Sequence, residues 1–215
     1  MITLYDYWRS SAAYRVRIAL ALLNLPHSAI AVNLLDYSHR APENLARNPQ
    51  GLVPTLMIDG QTLTQSVAIL EYLDETRAAG FLPLQAADRA RVRALAYAVA
   101  MEISPVCNLS VRNHAAFASA GAITAEGWQS HFMTSGLAAF ERMLDHPGTG
   151  LCCHGDTVSI ADICLVPQIY NARRAAIDLS AFPQITRIMA HLDNIPAIAA
   201  AHPDQHKPTF VNTEG

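Results

Sequence analysis

Two adjacent hydroxyls, Ser10 and Ser11, lie between a short apolar strand signal, Ile2-Thr3-Leu4-Tyr5, and an amphipathic helix signal. A helix start carries unpaired N–H groups and partial positive charge, so it can hold an anion or a thiolate. Arg9 and Arg15 add permanent positive charge beside them. An N-cap alone needs one hydroxyl and no arginine. The segment Trp8 to Arg17 therefore reads as an anion site built on a capped helix.

Other chemistry-bearing residues read differently. Cys107, Cys152, Cys153 and Cys164 show neither CxxC spacing nor a disulfide framework. Cys152-Cys153-His154 lacks a second ligand pair, and adjacent cysteines chelate one ion poorly, so no metal site is expected. These thiols read as small buried apolar groups. His114, His131, His154 and His191 have no matching partners and read as surface or capping residues. Ser159-Ile160-Ala161-Asp162 reads as a capping-box variant preceded by an apolar Val158, a folding device for a buried helix.

The elements that must position the Ser pair follow from periodicity. Ala13 to Leu23 is a helix, with Val16, Ala19, Leu20 and Leu23 on one face, and Asn24 and Pro26 end it. Ala29 to Leu34 is a second strand. Asp36 to Asn48 is a polar loop with a short helix. Val53 to Ile58 and Thr62-Leu63 flank Asp59-Gly60, a hairpin signal. Ser66 opens a helix through Leu73. The order β-α-β-α-β-β-α resembles a thioredoxin-like domain, assigned to residues 1–80. Phe81 to Leu84 reads as a linker. Beyond it strand signals nearly vanish. Asp88–Met101, Glu126–Leu144, Ile160–Ala176, Phe182–Leu192 and Ile195–Ala201 carry helical patterns, which gives an all-helical domain over 86–203 and a polar tail over 204–215.

The chain has 215 residues, 51% hydrophobic and 15% charged, which suits a well-buried core. Its net charge of -3 gives no electrostatic reason to expect nucleic acid or an anionic membrane as partner. No apolar run spans a bilayer. The N-terminal residues lack a signal-peptide pattern, so the expected compartment is cytoplasmic.

Several motifs converge on one family. They are Arg9-Ser10-Ser11 with Arg15-Val16-Arg17-Ile18-Ala19-Leu20, then Asn48-Pro49-Gln50-Gly51-Leu52-Val53-Pro54-Thr55-Leu56, then Gln65-Ser66, and last Asp156 to Gln168 with Asn171-Ala172-Arg173-Arg174. Together they resemble the zeta class of the glutathione transferase family, from Leu4 to about Pro203. Where that class has Cys in its Ser-Ser-Cys signature, this chain has Ala12, which leaves the thiol of glutathione as the expected nucleophile.

The resemblance implies glutathione as cofactor. Ser10, or alternatively Ser11, is the implied catalytic partner of its thiolate. Val53-Pro54 resembles the family's cis-proline junction, where extended backbone pairs with the cysteinyl part. Gln65 and Ser66 would hold the γ-glutamyl carboxylate at a helix start, compatible with simple capping. Gln50 and His39 would lie near the glycyl end. Asn108 resembles a polar position near the site, and Cys107 stands where Gln is common. Arg174 matches the family's Arg in Asn-Ala-x-Arg. Arg9 is the second candidate for a substrate carboxylate. Arg112 either takes that role too or is simply solvated. Arg173 points about 100° away on a helix and reads as a surface residue.

The implied reaction is cis–trans isomerisation of maleylacetoacetate to fumarylacetoacetate by thiolate addition, bond rotation and elimination, in tyrosine and phenylalanine catabolism. Maleylpyruvate is the alternative substrate. Glutathione addition to small α-halo acids is a third reading, and a non-catalytic glutathione-binding protein a distant fourth. A small dicarboxylate-type substrate and a homodimer are the implied partners. Thiol–disulfide exchange is excluded, because residues 1–80 contain no Cys.

Overall fold

The structure is a computed structural model describing residues 1–207. Two compact units divide the chain. One comprises Met1–Ala79 together with the segment from Pro196 onward, and the other comprises Gly80–Ile195.

The first unit is built on four short strands: β1 (Thr3–Asp6), β2 (Ser28–Ala31), β3 (Thr55–Ile58) and β4 (Gln61–Thr64). Their order in the sheet is β2-β1-β3-β4. The β1–β2 pair is parallel, and β1–β3 and β3–β4 are antiparallel. The hairpin at Asp59-Gly60 forms as its sequence requires, with both residues at positive φ. Helices α1 (Ser11–Leu22), α2 (Pro42–Arg47) and α3 (Ser66–Arg77) complete the order. A 3₁₀ turn over Ser38–Arg40 precedes α2. Leu4, Val16, Leu20, Leu56, Ile69, Leu70 and Leu73 are fully buried and form the core.

The second unit holds α4 (Ala86–Tyr97), α5 (Leu109–Ala118), α6 (Ala125–Met143), α7 (Ile160–Arg174) and α8 (Pro183–Leu192). A π-helical stretch, Ala98–Ile103, continues α4 where a plain α-helix was expected. Sequence periodicity missed α5, whose residues include no fully buried side chain and so carry no apolar stripe. Helix α7 is the buried centre, with eleven buried residues. Its capping box forms: the N–H and hydroxyl of Ser159 both donate to Asp162 Oδ2, at 2.8 and 2.7 Å. The other carboxylate oxygen accepts from Cys153 N–H at 2.7 Å.

Three boundaries differ from the sequence reading. Residues 196–203 were expected in the helical domain, but α9 (Pro196–Ala200) groups with the first unit. The physical tie is Arg17, which donates to the Ala201 carbonyl at 3.2 Å. The tail beyond 204 starts as a short turn, Pro203–His206, and residues 208–215 of the expected tail lie outside the described residues. Within the expected linker, Phe81 and Leu82 are buried, and the Phe81 carbonyl accepts from Ile160 N–H at 3.1 Å. His154 is likewise no surface residue, since its ring meets Arg91 at 3.1 Å and is largely buried. Among the described residues, no helix is long and apolar enough to cross a membrane.

Candidate active site

In the first unit the chain enters α1 through Ser10, whose backbone is extended (φ -69°, ψ 120°). Ser10 Oγ accepts from Ala13 N–H at 3.2 Å. The cap uses an acceptor lone pair and leaves the hydroxyl hydrogen as a donor. Ser11 is the first helical residue, and both serines are half-buried. Arg9 is exposed, with its guanidinium 4.3 Å from the centre of the Trp8 ring.

Helix α3 begins at Ser66, which is buried. Arg15, also buried, donates from Nη1 to Ser66 Oγ at 3.2 Å. The arginine read as extra charge beside the Ser pair thus sits against the start of a second helix. Gln65 precedes Ser66 at φ 66°, a left-handed conformation that costs a non-glycine residue energy. Its Nε2 donates to Gln50 Oε1 at 2.6 Å, so these two exposed side chains meet.

The loop between β2 and β3 is fastened from below by two asparagines that the sequence reading did not single out as site residues. Asn44 Nδ2 donates to the His39 carbonyl at 2.9 Å. Asn48 donates to the Leu52 carbonyl at 3.0 Å and accepts from Gln50 N–H at 3.1 Å. Both are 2% exposed. The Asn-Pro-x-Gly pattern was the signal for Asn48, since Asn readily bonds backbone two residues on. Gly51 at φ 61° completes the turn, and a Cβ there would lie 3.0 Å from the Arg40 side chain. His39 is half-buried, and its Nδ1 is buried without a hydrogen-bond partner. Val53 and Pro54 are buried and joined by a cis peptide bond.

In the second unit, three helices border an open cleft of about 210 Å³ lined by Arg112, Glu126, Gln129, Asn171, Arg174 and Ala175. Arg112 comes from the first turn of α5, Glu126 and Gln129 from that of α6, and Asn171 and Arg174 from the end of α7. The structure therefore brings Arg112 and Arg174 to one cleft. Arg112 donates from Nη1 to Gln129 Oε1 in a short hydrogen bond. Arg174 lies 5.6 Å from the Tyr170 ring centre. Arg173 is outside the cleft lining and pairs with Asp193 at 3.1 Å. Asn108 is the N-cap of α5, accepting from Leu109 N–H at 3.0 Å. Glu126 and Gln129 were missed, because nothing in one sequence marks which polar residues of α6 face α5 and α7.

Three of the protein's own thiols are poor nucleophiles. Burial pushes Cys107 up to about 11 and Cys152 up to about 12, and raises Cys153 further with Asp162 acting in the same direction. Among the described residues, no cluster of His, Cys, Asp and Glu could hold a metal ion.

Residues 4–80 match the family described as glutathione S-transferase, N-terminal domain. Over 207 residues the chain is 58% identical to the maleylacetoacetate isomerase of Rhizobium meliloti strain 1021, covering 95% of this chain and 97% of that one. The chain belongs to the maleylacetoacetate isomerase family of glutathione transferases. A solved family structure from Methylobacterium extorquens AM1, with malonate and glutathione bound, is 38% identical at a TM-score of 0.89, covering 94% of this chain and 96% of that one. A bacterial zeta-class maleylpyruvate isomerase in its holo form is 36% identical at a TM-score of 0.88, with the same coverage. The family's fold, a thioredoxin-like domain followed by a helical region, is the one described above.

Proposed function

We propose that this protein is a glutathione-dependent cis–trans isomerase converting maleylacetoacetate to fumarylacetoacetate in tyrosine and phenylalanine catabolism. The observation that carries this reading is the cleft in which Arg112 and Arg174 converge, a place for an acid. Its support from relatives is the 58% identity to a maleylacetoacetate isomerase.

Glutathione, when bound, supplies a thiol whose ionised form adds to a conjugated double bond and leaves again after rotation, so it is not consumed. The residues present fit it. Ser66 and Arg15 offer a hydroxyl and a cation at a helix start for the γ-glutamyl carboxylate, with Gln65 beside them. Val53 offers extended backbone to the cysteinyl part. Gln50 and His39, whose Nδ1 is buried without a hydrogen-bond partner, would hold the glycyl end. Asn108 is an additional polar contact. Ser10 donates its hydroxyl hydrogen to sulfur, with Ser11 as the alternative, and the start of α1 favours the charged sulfur. Lowering a thiol pKa of about 8.5 by one to two units raises the ionised fraction at pH 7 from about 3% to roughly 24–76%. Arg174 and Arg112 hold substrate carboxylate, and Arg9 supplies a further cation. Charge that develops on the substrate carbonyl needs such donors.

The similarity to a maleylpyruvate isomerase favours maleylpyruvate as the second candidate substrate. One assay separates the readings. Maleylacetoacetate absorbance is followed with catalytic glutathione while total free thiol is measured. Turnover at constant thiol is expected. No turnover on maleylacetoacetate, with turnover on maleylpyruvate or halide release from α-halo acids, overturns it.

A cytoplasmic homodimer completes the proposal. The free thiols suit a reducing compartment. The exposed apolar side chains of α5, with Phe117 84% exposed, suit a second copy. Sedimentation at a single chain mass overturns the dimer.

A further inference from the structure

The cleft between α5, α6 and α7 is small and open on one side. At about 210 Å³ it falls below the roughly 300–1,000 Å³ of sites that enclose a small ligand. It takes one end of a molecule. Its charges are two arginines and one glutamate, a single net positive charge.

Arg112 is not free to swing. Gln129 Oε1 accepts a hydrogen bond from Arg112 Nη1. The Gln129 amide is itself fixed, because its Nε2 faces Met133 Sδ at 3.9 Å. Its backbone carbonyl accepts from Cys107 Sγ at 3.8 Å. With Nη1 engaged, the remaining edge of the guanidinium is Nε and Nη2, the pair that binds a carboxylate side-on through two parallel bonds. Arg112 Nε is buried with no hydrogen-bond partner. A buried donor of a charged group without an acceptor is costly in a finished protein, and a bound carboxylate removes that cost.

Glu126 sets the other limit. One carboxylate balances the cleft's net charge. A second carboxylate would meet the exposed Glu126 as a like charge at the edge of the cleft. A neutral carbonyl oxygen next to the first carboxylate meets no such penalty, and Asn171 is an amide able to donate to it.

We propose that Gln129 is a positioning residue and Glu126 a specificity residue. Gln129 aims the free edge of Arg112, and Glu126 restricts the cleft to a singly charged β-keto acid end. This rests on the isomerase reading for its biological substrate, but the recognition chemistry is independent of turnover.

The test is calorimetric titration of the intact protein, saturated with glutathione, with acetoacetate and separately with malonate. Wild type is expected to bind acetoacetate more tightly than malonate. Glu126→Gln is expected to tighten malonate about tenfold while leaving acetoacetate nearly unchanged. Gln129→Met is expected to weaken acetoacetate about tenfold with an unchanged thermal midpoint, and to raise KM for maleylacetoacetate without changing kcat. Equal affinity for the two acids in wild type, no binding of either up to tens of millimolar, or a Glu126→Gln variant that changes both alike overturns the proposal. A lowered thermal midpoint in Gln129→Met does the same, since it marks a merely structural role. If both acids bind as stated and no isomerisation is seen, the isomerase reading fails and the cleft assignment stands.

Discussion

Arg17 and Asp6 form a buried ion pair in which Nη1 donates to both carboxylate oxygens, at 2.8 and 2.6 Å. Arg17 is 2% exposed and Asp6 is 6% exposed. The same guanidinium donates to the Trp8 carbonyl at 2.9 Å and to the Ala201 carbonyl at 3.2 Å. One side chain thus joins the end of β1, the approach to Ser10 and the segment after α9.

Arg17→Met is therefore expected to destabilise by about 3–5 kcal/mol, because it leaves Asp6 buried and unpaired. The midpoint of urea unfolding measures this. Asp6→Asn together with Arg17→Met is expected to recover part of the loss. A single Arg17→Met variant as stable as wild type contradicts the assigned clasp.

The serines at α1 separate by two readouts. Ser10→Ala removes a cap and is expected to cost about 1 kcal/mol of stability. It also removes the proposed donor to sulfur, expected to lower kcat/KM about 10- to 100-fold at neutral pH. Ser11→Ala is expected to leave stability nearly unchanged and to have the smaller kinetic effect. Equal, small kinetic losses from both sink the thiolate-activation role.

Arg174→Ala and Arg112→Ala are each expected to lower kcat/KM for the diacid by about 10- to 100-fold, as loss of a charged hydrogen-bonded anchor implies. Arg173→Ala, whose side chain pairs with exposed Asp193, is expected to change it less than about twofold. Steady-state kinetics on maleylacetoacetate check all three. A loss in Arg173→Ala as large as in Arg174→Ala contradicts the cleft.

These experiments probe parts of the site with unequal traces in the sequence. The order of elements along the first unit, the hairpin at Asp59-Gly60, the cap at Ser10 and the box at Ser159 were legible because each depends on local backbone chemistry. The same holds for the split between a thioredoxin-like half and a helical half. What was not legible depends on tertiary placement. Helix α5 has no buried stripe, so its period was silent. Residues 196–200 have helical spacing that says nothing of which unit they join, and Arg17 decides that. Arg15 looked like charge beside Ser10, yet its hydrogen bond runs 51 residues along the chain to Ser66. Gln129 and Glu126 are ordinary polar residues until the fold sets them in one cleft with α5 and α7.

His206 gives a pH prediction. Burial lowers its pKa from 6.5, and Arg17 acts in the same direction, against the Ala200 carbonyl and Asp6. The unfolded chain then binds the proton more readily than the folded one. Stability is unaffected by this group well above pH 6.5, where both states are neutral. It falls as pH drops from that value towards the lower folded pKa. Urea midpoints of wild type are expected to decline through this window, and those of His206→Gln to decline less. Parallel curves contradict the assignment.

Gln65 offers the sharpest separation of stability from function. It holds φ 66° without being glycine, at the residue before a buried helix start. A non-glycine residue in such a conformation costs on the order of 1 kcal/mol or more. Gln65→Gly removes that cost and is expected to raise stability or leave it level, despite the greater freedom of the unfolded glycine. It also removes the amide that meets Gln50 at 2.6 Å and stands beside Ser66. Glutathione affinity is therefore expected to fall about tenfold. Urea unfolding and glutathione calorimetry on the same variant read the two effects separately. A rise in stability with a fall in affinity identifies the strain as serving the ligand. Gln65→Ala keeps the strained backbone without the amide, so it is expected to lose affinity with no gain in stability. Undiminished affinity in both variants removes Gln65 from the glutathione site.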